Sequence, residues 1–208
     1  MPSELKDQLK KLIEEGKSCR DCRKLFGFEP NPVFYGQKKA KIVQISQAPS
    51  NNVHKTGKPF DDASGKKLIG EWYRISDKEF YDKSNFYISG IGHCYPGKSP
   101  NGGDRKPPKR CAEKWLRREL QLVDNSMYIL IGRNAALYFF HDKDHKSKNP
   151  RSKSFTELVF SDQEISGRPA IILPHPSPLN QKWFKDNPKF LSERLPEIRK
   201  RIHRVLGR

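Results

Sequence analysis

Acidic residues are scarce in this chain relative to basic ones. Against 41 Lys and Arg stand only 24 Asp and Glu, a formal net charge of +17. Such an excess costs self-repulsion, so the expected partner is a polyanion, nucleic acid first. The basic residues run from Lys6 to Arg208 and are not confined to one tail. They gather at Arg105, Lys106, Lys109 and Arg110, and again at Arg199, Lys200, Arg201 and Arg204. Long apolar runs are missing. None approaches the roughly 18 residues that a membrane-spanning helix needs. The first residues, Met1-Pro2-Ser3-Glu4-Leu5-Lys6-Asp7, are charged and lack the apolar stretch of a signal peptide, which implies an intracellular protein of cytoplasm or nucleoid. Apolar residues are few at 34%, yet aromatics reach 11%, a composition that excludes disorder and fits a globular domain with a polar surface. At this length a single domain, 1–208, and a monomer are expected.

Cysteine is sparse too. Cys19 and Cys22 form C-x2-C; Cys94 and Cys111 follow as two distant residues. Inside a cell thiols stay reduced, so disulfides are not expected. Two ligands from a short loop and two from distant segments can close a thiolate cage around one metal centre. Zinc and a [4Fe–4S] cluster both remain open on spacing alone. A zinc finger usually pairs two close C-x2-C units, and here only one pair is close.

Periodicity organises the rest. Leu5, Leu9, Leu12 and Ile13 predict an amphipathic helix over 3–15, capped by Ser3 and ended by Gly16. Apolar strands are predicted at 41–46, 86–89, 127–131 and 170–174. Helices are predicted over 64–74, 110–122 and 134–140, and over 188–206 with a break or start at Pro196. Residues 49–64 read as a polar loop, and 142–154 as a charged, mobile excursion. Strands alternating with helices imply a parallel sheet covered on both faces. Functional loops then leave the C-terminal strand ends, after Ser46, Ile91 and Pro174. There is no internal repeat and no long linker.

Two of those loops carry chemistry. The first reads Ser46-Gln47-Ala48-Pro49-Ser50, then Gly57-Lys58-Pro59-Phe60-Asp61-Asp62-Ala63-Ser64-Gly65. The last reads His175-Pro176-Ser177-Pro178-Leu179-Asn180. With the cysteine pattern, these motifs resemble the iron–sulfur branches of the uracil-DNA glycosylase superfamily, families four and five. The family-four motif is similar to Gly-Glu-Ala-Pro-Gly, then Thr/Ala-Gly-x-Pro-Phe-Val-Gly-x-Ala-Gly. This chain matches it at Ala48-Pro49, Gly57-x-Pro59-Phe60 and Gly65. The segment from Ile129 to Ala136 resembles a further family motif, so the likeness runs from about Cys19 to Asn180.

The resemblance implies a three-layer α/β/α sandwich with a central four-stranded parallel sheet. It implies a [4Fe–4S] cluster on Cys19, Cys22, Cys94 and Cys111, zinc being the alternative. The partner implied is DNA containing a damaged base, flipped out of the stack. Phe60 would stack on that base, and Ala48 and Ser50 would offer backbone amides to it. His175 would hydrogen-bond the base oxygen where charge develops. Asp62 would position water or stabilise the sugar cation, or else cap the following helix. Leu179 would wedge into the stack. Ser177, Lys98 and Arg105 would bind phosphates.

Two departures bear on specificity. Gln47 stands where family four has Glu; an amide can orient water or contact the base but is a poor general base. Gly90 stands where family four has a base-reading Asn, four residues before the third cysteine. Family five has a small residue there, and carries a catalytic Asp two residues before Ser-Gly, as Asp62 precedes Ser64-Gly65. The expected activity is removal of a deaminated base, uracil first, by hydrolysis of its N-glycosidic bond. No lysine stands out as a Schiff-base nucleophile, so no strand cleavage is expected. The alternatives are a wider pocket for hypoxanthine, xanthine or mismatched bases, and a non-catalytic nucleic-acid-binding relative. The segment Arg199-Lys200-Arg201-Ile202-His203 resembles a DNA-trapping loop of another superfamily branch. Here it reads as one basic face of a C-terminal helix.

Overall fold

The computed structural model describes residues 2–100, 102–140 and 153–208. All but the last two residues of the 142–154 excursion lie outside them. Four strands run parallel: β1 (Ile42–Ser46), β2 (Phe86–Gly90), β3 (Met127–Ile131) and, last in the chain, β5 (Arg168–Leu173). A fifth, β4 (Gln163–Ile165), was not anticipated and pairs antiparallel with β5 at the sheet edge. The order is β2-β1-β3-β5-β4. Ser166 (φ 52) and Gly167 (φ 73) both adopt left-handed backbone. That is what a two-residue hairpin between β4 and β5 requires.

The parallel strands are mostly apolar because both faces are covered, with Gln44 and Ser89 as buried polar exceptions. Side-chain alternation shows which helix covers which face. Gln44 of β1 accepts from Tyr73 Oη at 2.6 Å, and Phe86 of β2 stacks on the Tyr73 ring. Helix 63–73 (Ala63–Lys66, widening over Lys67–Tyr73) therefore lies on that face. Tyr87 and Ser89 point the other way and both reach Glu119 on helix 109–122. The N-terminal helix (Pro2–Lys17) packs beside the latter through buried Leu9 and Leu12. This helix already includes Ser3, and it does not end at Gly16. A Cβ on Gly16 would lie 2.1 Å from the Phe34 ring, so the glycine makes room for a packed aromatic.

The 49–64 segment is not wholly loop. Ser50 caps a short helix, Asn51–Thr56, that Gly57 closes in left-handed backbone. Helices Phe155–Phe160 and Gln181–Asp186 were likewise not foreseen; in both, aromatics pack into a cluster around Trp183. Pro196 does not break the tail. It sits in the first turn of helix Leu195–Leu206, where a missing N–H costs nothing.

The basic tail segment departs from a solvated face. Arg199 donates to the carbonyls of Trp72 (2.9 Å) and Glu71 (3.0 Å), and His203 Nε2 lies 2.8 Å from the Tyr73 carbonyl. Arg201 is paired to Asp162 and Glu197. Arg199 and His203 thus cap the carbonyl end of helix 63–73, where the helix dipole favours the positive charge of Arg199. Lys200 and Arg204 are the exposed cations of the segment. Among the described residues no helix is long and apolar enough to cross a membrane.

Candidate active site

A cavity of about 410 Å³ opens at the C-terminal ends of β1 and β2, beside the β1/β3 point where the strand order reverses. Gln47, Ala48, Ser50, Phe60 and Asp62 reach it from the loop after β1. Gly90 reaches it from the end of β2 and Lys98 from the segment that follows, and His175, Ser177 and Leu179 from the loop after β5. Ten of the sequence-derived residues thus share one cavity. Arg105 does not line it; the Arg105 side chain is exposed, and only its backbone carbonyl is used nearby.

The first loop is held by its own polar groups. Ser50 Oγ accepts from Val53 N–H (3.3 Å) and donates to Asp62 Oδ2 (2.8 Å). Asp62 Oδ1 accepts from Gly65 N–H at 2.9 Å, so Asp62 is a helix cap and a cavity residue at once. Phe60 takes left-handed backbone (φ 57), a cost of roughly 1–3 kcal/mol for a residue that is not glycine. Gly65 makes that conformation possible, since a Cβ there would fall 1.7 Å from the Phe60 carbonyl oxygen. The edge contact of Phe60 with Phe80 returns roughly 0.5–1.5 kcal/mol. Strain held at a cavity wall is the pattern of a functional site.

Gln47 is committed on both sides of its amide. Its Nε2 donates to the Arg105 carbonyl at 3.0 Å, and its Oε1 accepts from Asn134 Nδ2. It ties three segments together, and Asn134 is a partner that spacing could not reveal. Gly90 is built for glycine: a Cβ there would meet the Gly92 carbonyl oxygen at 2.7 Å. At this point the wall is backbone.

His175 has the best-defined state. Ser177 N–H donates to its Nδ1 at 3.2 Å, so the ring proton of the neutral form is assigned to Nε2. Burial lowers its pKa below the ordinary imidazole value, although Asp62 and Asp104 act against that. The loop is fixed by Asn180 Nδ2, which donates to the His175 carbonyl at 2.7 Å. Beyond it Leu179 is 83% exposed, which no packing contact explains. Asp104 is a further cavity residue that sequence reading missed. It lies past Gly102 and Gly103, in a turn where an Asp looks ordinary. Its Oδ1 accepts from Lys98 Nζ at 2.9 Å.

No disulfide joins the four cysteines, and they lie within electrostatic reach of one another. Burial pushes the Cys94 thiol up, followed by Cys111, Cys22 and Cys19. Cys22 is likewise raised by burial, against which Arg110 works, and then by Cys111 and Cys19. Arg110 also donates to the Asp21 carbonyl, and Lys114 pairs with Asp21 at 2.7 Å, tethering the C-x2-C loop to helix 109–122. No three described His, Cys, Asp or Glu groups gather closely enough for a single ion. Four cysteine sulfurs are the donor set that an iron–sulfur cluster takes.

The uracil DNA glycosylase superfamily matches residues 33–199 of the chain. The chain is 28% identical over 198 residues to a protein of Sulfurisphaera tokodaii named type-4 uracil-DNA glycosylase, covering 93% of this chain and 84% of that one. A protein of the same name from Saccharolobus solfataricus is 28% identical over 162 residues, 74% of this chain and 70% of its own. Another, from Archaeoglobus fulgidus, is 30% identical over 138 residues, 65% of each chain.

Proposed function

Because the chain belongs to the uracil-DNA glycosylase superfamily, we propose that it is a monofunctional DNA glycosylase that removes uracil and leaves an abasic site. The observation that carries this reading is the meeting of Phe60, Asp62 and a neutral, Nε2-protonated His175 on one cavity. A base buried in duplex DNA must leave the stack to reach such a cavity. Phe60 then stacks on it. As the C1′–N bond breaks, its electron pair passes to the base, and charge builds on the base oxygen. The Nε2–H of His175 donates to that oxygen, an electrostatic role worth roughly 2.7–4 kcal/mol for one donor. The carboxylates of Asp62 and Asp104 face the developing sugar cation, and water adds to C1′, its proton passing to the departing base anion.

Gln47 supports this chemistry by position. With both amide ends committed, it holds the loops and does not orient the water. Leu179 fits the wedge that fills the vacated stack. Ser177, Lys98 and exposed Arg105 face the phosphates, and the protein acts as a monomer on DNA inside the cell. Cys19, Cys22, Cys94 and Cys111 would hold a [4Fe–4S] cluster. When bound, it supplies a rigid cross-link between the N-terminal segment and the 94–111 loop.

Gly90 favours a second reading. With no side-chain amide at that wall, the cavity accepts larger deaminated bases such as hypoxanthine or xanthine. Labelled duplexes carrying uracil, hypoxanthine, xanthine or a mismatched thymine, incubated with the protein and then treated with alkali, decide between the two. Breaks only after alkali, strongest at uracil, are expected. Comparable breaks at hypoxanthine favour the wider pocket, and none at any base leaves a binding protein. An anaerobic preparation that is colourless and carries stoichiometric zinc would remove the cluster.

A further inference from the structure

His93 lies outside the cavity, one residue before Cys94, and the reaction described above does not use it. Its ring is buried and lies nearly flat against Phe34, centroids 4.3 Å apart. Both ring nitrogens are engaged. Nε2 is 2.9 Å from Glu119 Oε2 and 3.3 Å from Ser89 Oγ. Nδ1 faces Cys111 Sγ at 3.7 Å, and the backbone N–H of His93 donates to the same sulfur at 3.4 Å. Glu119 is fully buried and also accepts from Tyr87 Oη (2.8 Å) and Ser89 Oγ (2.7 Å).

A buried imidazole and carboxylate are a costly way to fill space; apolar residues of like volume usually serve stability as well or better. What the two side chains touch gives them a use. At one end it holds Ser89, in the cavity wall. At the other it reaches the sulfur of Cys111. The geometry points to His93 and Glu119 as a positioning pair for Cys111, in which the imidazole hydrogen-bonds the ligand sulfur and tunes the metal group it holds. The inference rests on the cysteine-bound cluster of the preceding reading. A donor on a ligand sulfur draws electron density from it and so stabilises the reduced cluster. His93 thus holds the reduction potential above what the four thiolates alone would set.

The test compares the intact, anaerobically purified holoprotein with His93→Asn and His93→Gln. The Asn amide nitrogen falls near the place of Nδ1 and keeps a donor for Cys111. The Gln amide reaches toward Glu119 and leaves the sulfur without its ring donor. Iron and sulfide content is measured, then the midpoint potential by protein-film voltammetry. His93→Gln is expected to shift to a more negative potential, or to lose iron and sulfide, while His93→Asn stays near wild type. Wild-type potential and retention in both variants would overturn the inference, and so would equal loss of the cluster from both. A wild-type protein holding zinc and no iron or sulfide would instead bring down the cofactor reading, and this inference with it.

Discussion

His93 and His175 follow parallel strands of one sheet, yet their surroundings treat them in opposite ways. Burial works against charge on both. At His93 it is outweighed by Glu119 and Cys111, which raise the pKa. At His175 the carboxylates of Asp62 and Asp104 do not outweigh it, and the pKa falls. The bonding differs in the same sense. Both nitrogens of His93 are taken, whereas His175 spends Nδ1 on a backbone N–H and keeps Nε2 for the cavity. A histidine clamped on both sides positions other groups; one with a spare N–H can meet a substrate.

The comparison breaks most readily at Glu119. Glu119→Leu leaves Tyr87, Ser89 and His93 without their shared acceptor, and a broken buried pair costs roughly 3–5 kcal/mol. For a chain of this size that is a fall in Tm of roughly 10 °C, read by calorimetry on the loaded protein. A fall below about 2 °C would show that the network carries little. His175→Ala removes the cavity donor, together with the acceptor of Ser177 N–H. Single-turnover excision of uracil should drop about 10²- to 10³-fold, with DNA affinity nearly unchanged. An unchanged rate would strip His175 of its role.

Legibility in the sequence followed physical range. The four parallel strands were readable because burial on both faces leaves continuous apolar runs. β4 was not, since Gln163-Glu164-Ile165 is an edge strand defined by its turn. Gly16 looked like a helix stop because sequence shows the glycine and not the Phe34 ring above it. Phe60, Asp62 and His175 were legible because their motifs are local. Asp104, Asn134 and the His93–Glu119 pair were not, because each depends on a partner distant in the chain. The inward turn of Arg199 and His203 was hidden for the same reason: a cation on a solvated face and one capping a carbonyl look alike in sequence.

That latch gives a smaller effect. Arg199→Met keeps the stem and removes two hydrogen bonds to the carbonyl end of helix 63–73. Stability should fall by about 1–2 kcal/mol in denaturant titration, with excision per folded molecule unchanged. A matching loss of DNA binding would return Arg199 to the DNA face. The smallest effect is in pH. Because the folded pKa of His175 is depressed, its neutral form persists below the ordinary imidazole value of about 6.5. The excision rate should therefore stay level through that range and fall only at more acid pH. An inflection at the ordinary value would mean that His175 is not sheltered.

The central claim is the state of His175, and long-range proton–nitrogen correlation NMR of the specifically labelled histidine reads it directly. At neutral pH a neutral ring with Nε2 protonated and Nδ1 bare is expected. An imidazolium, or a proton on Nδ1, would contradict it.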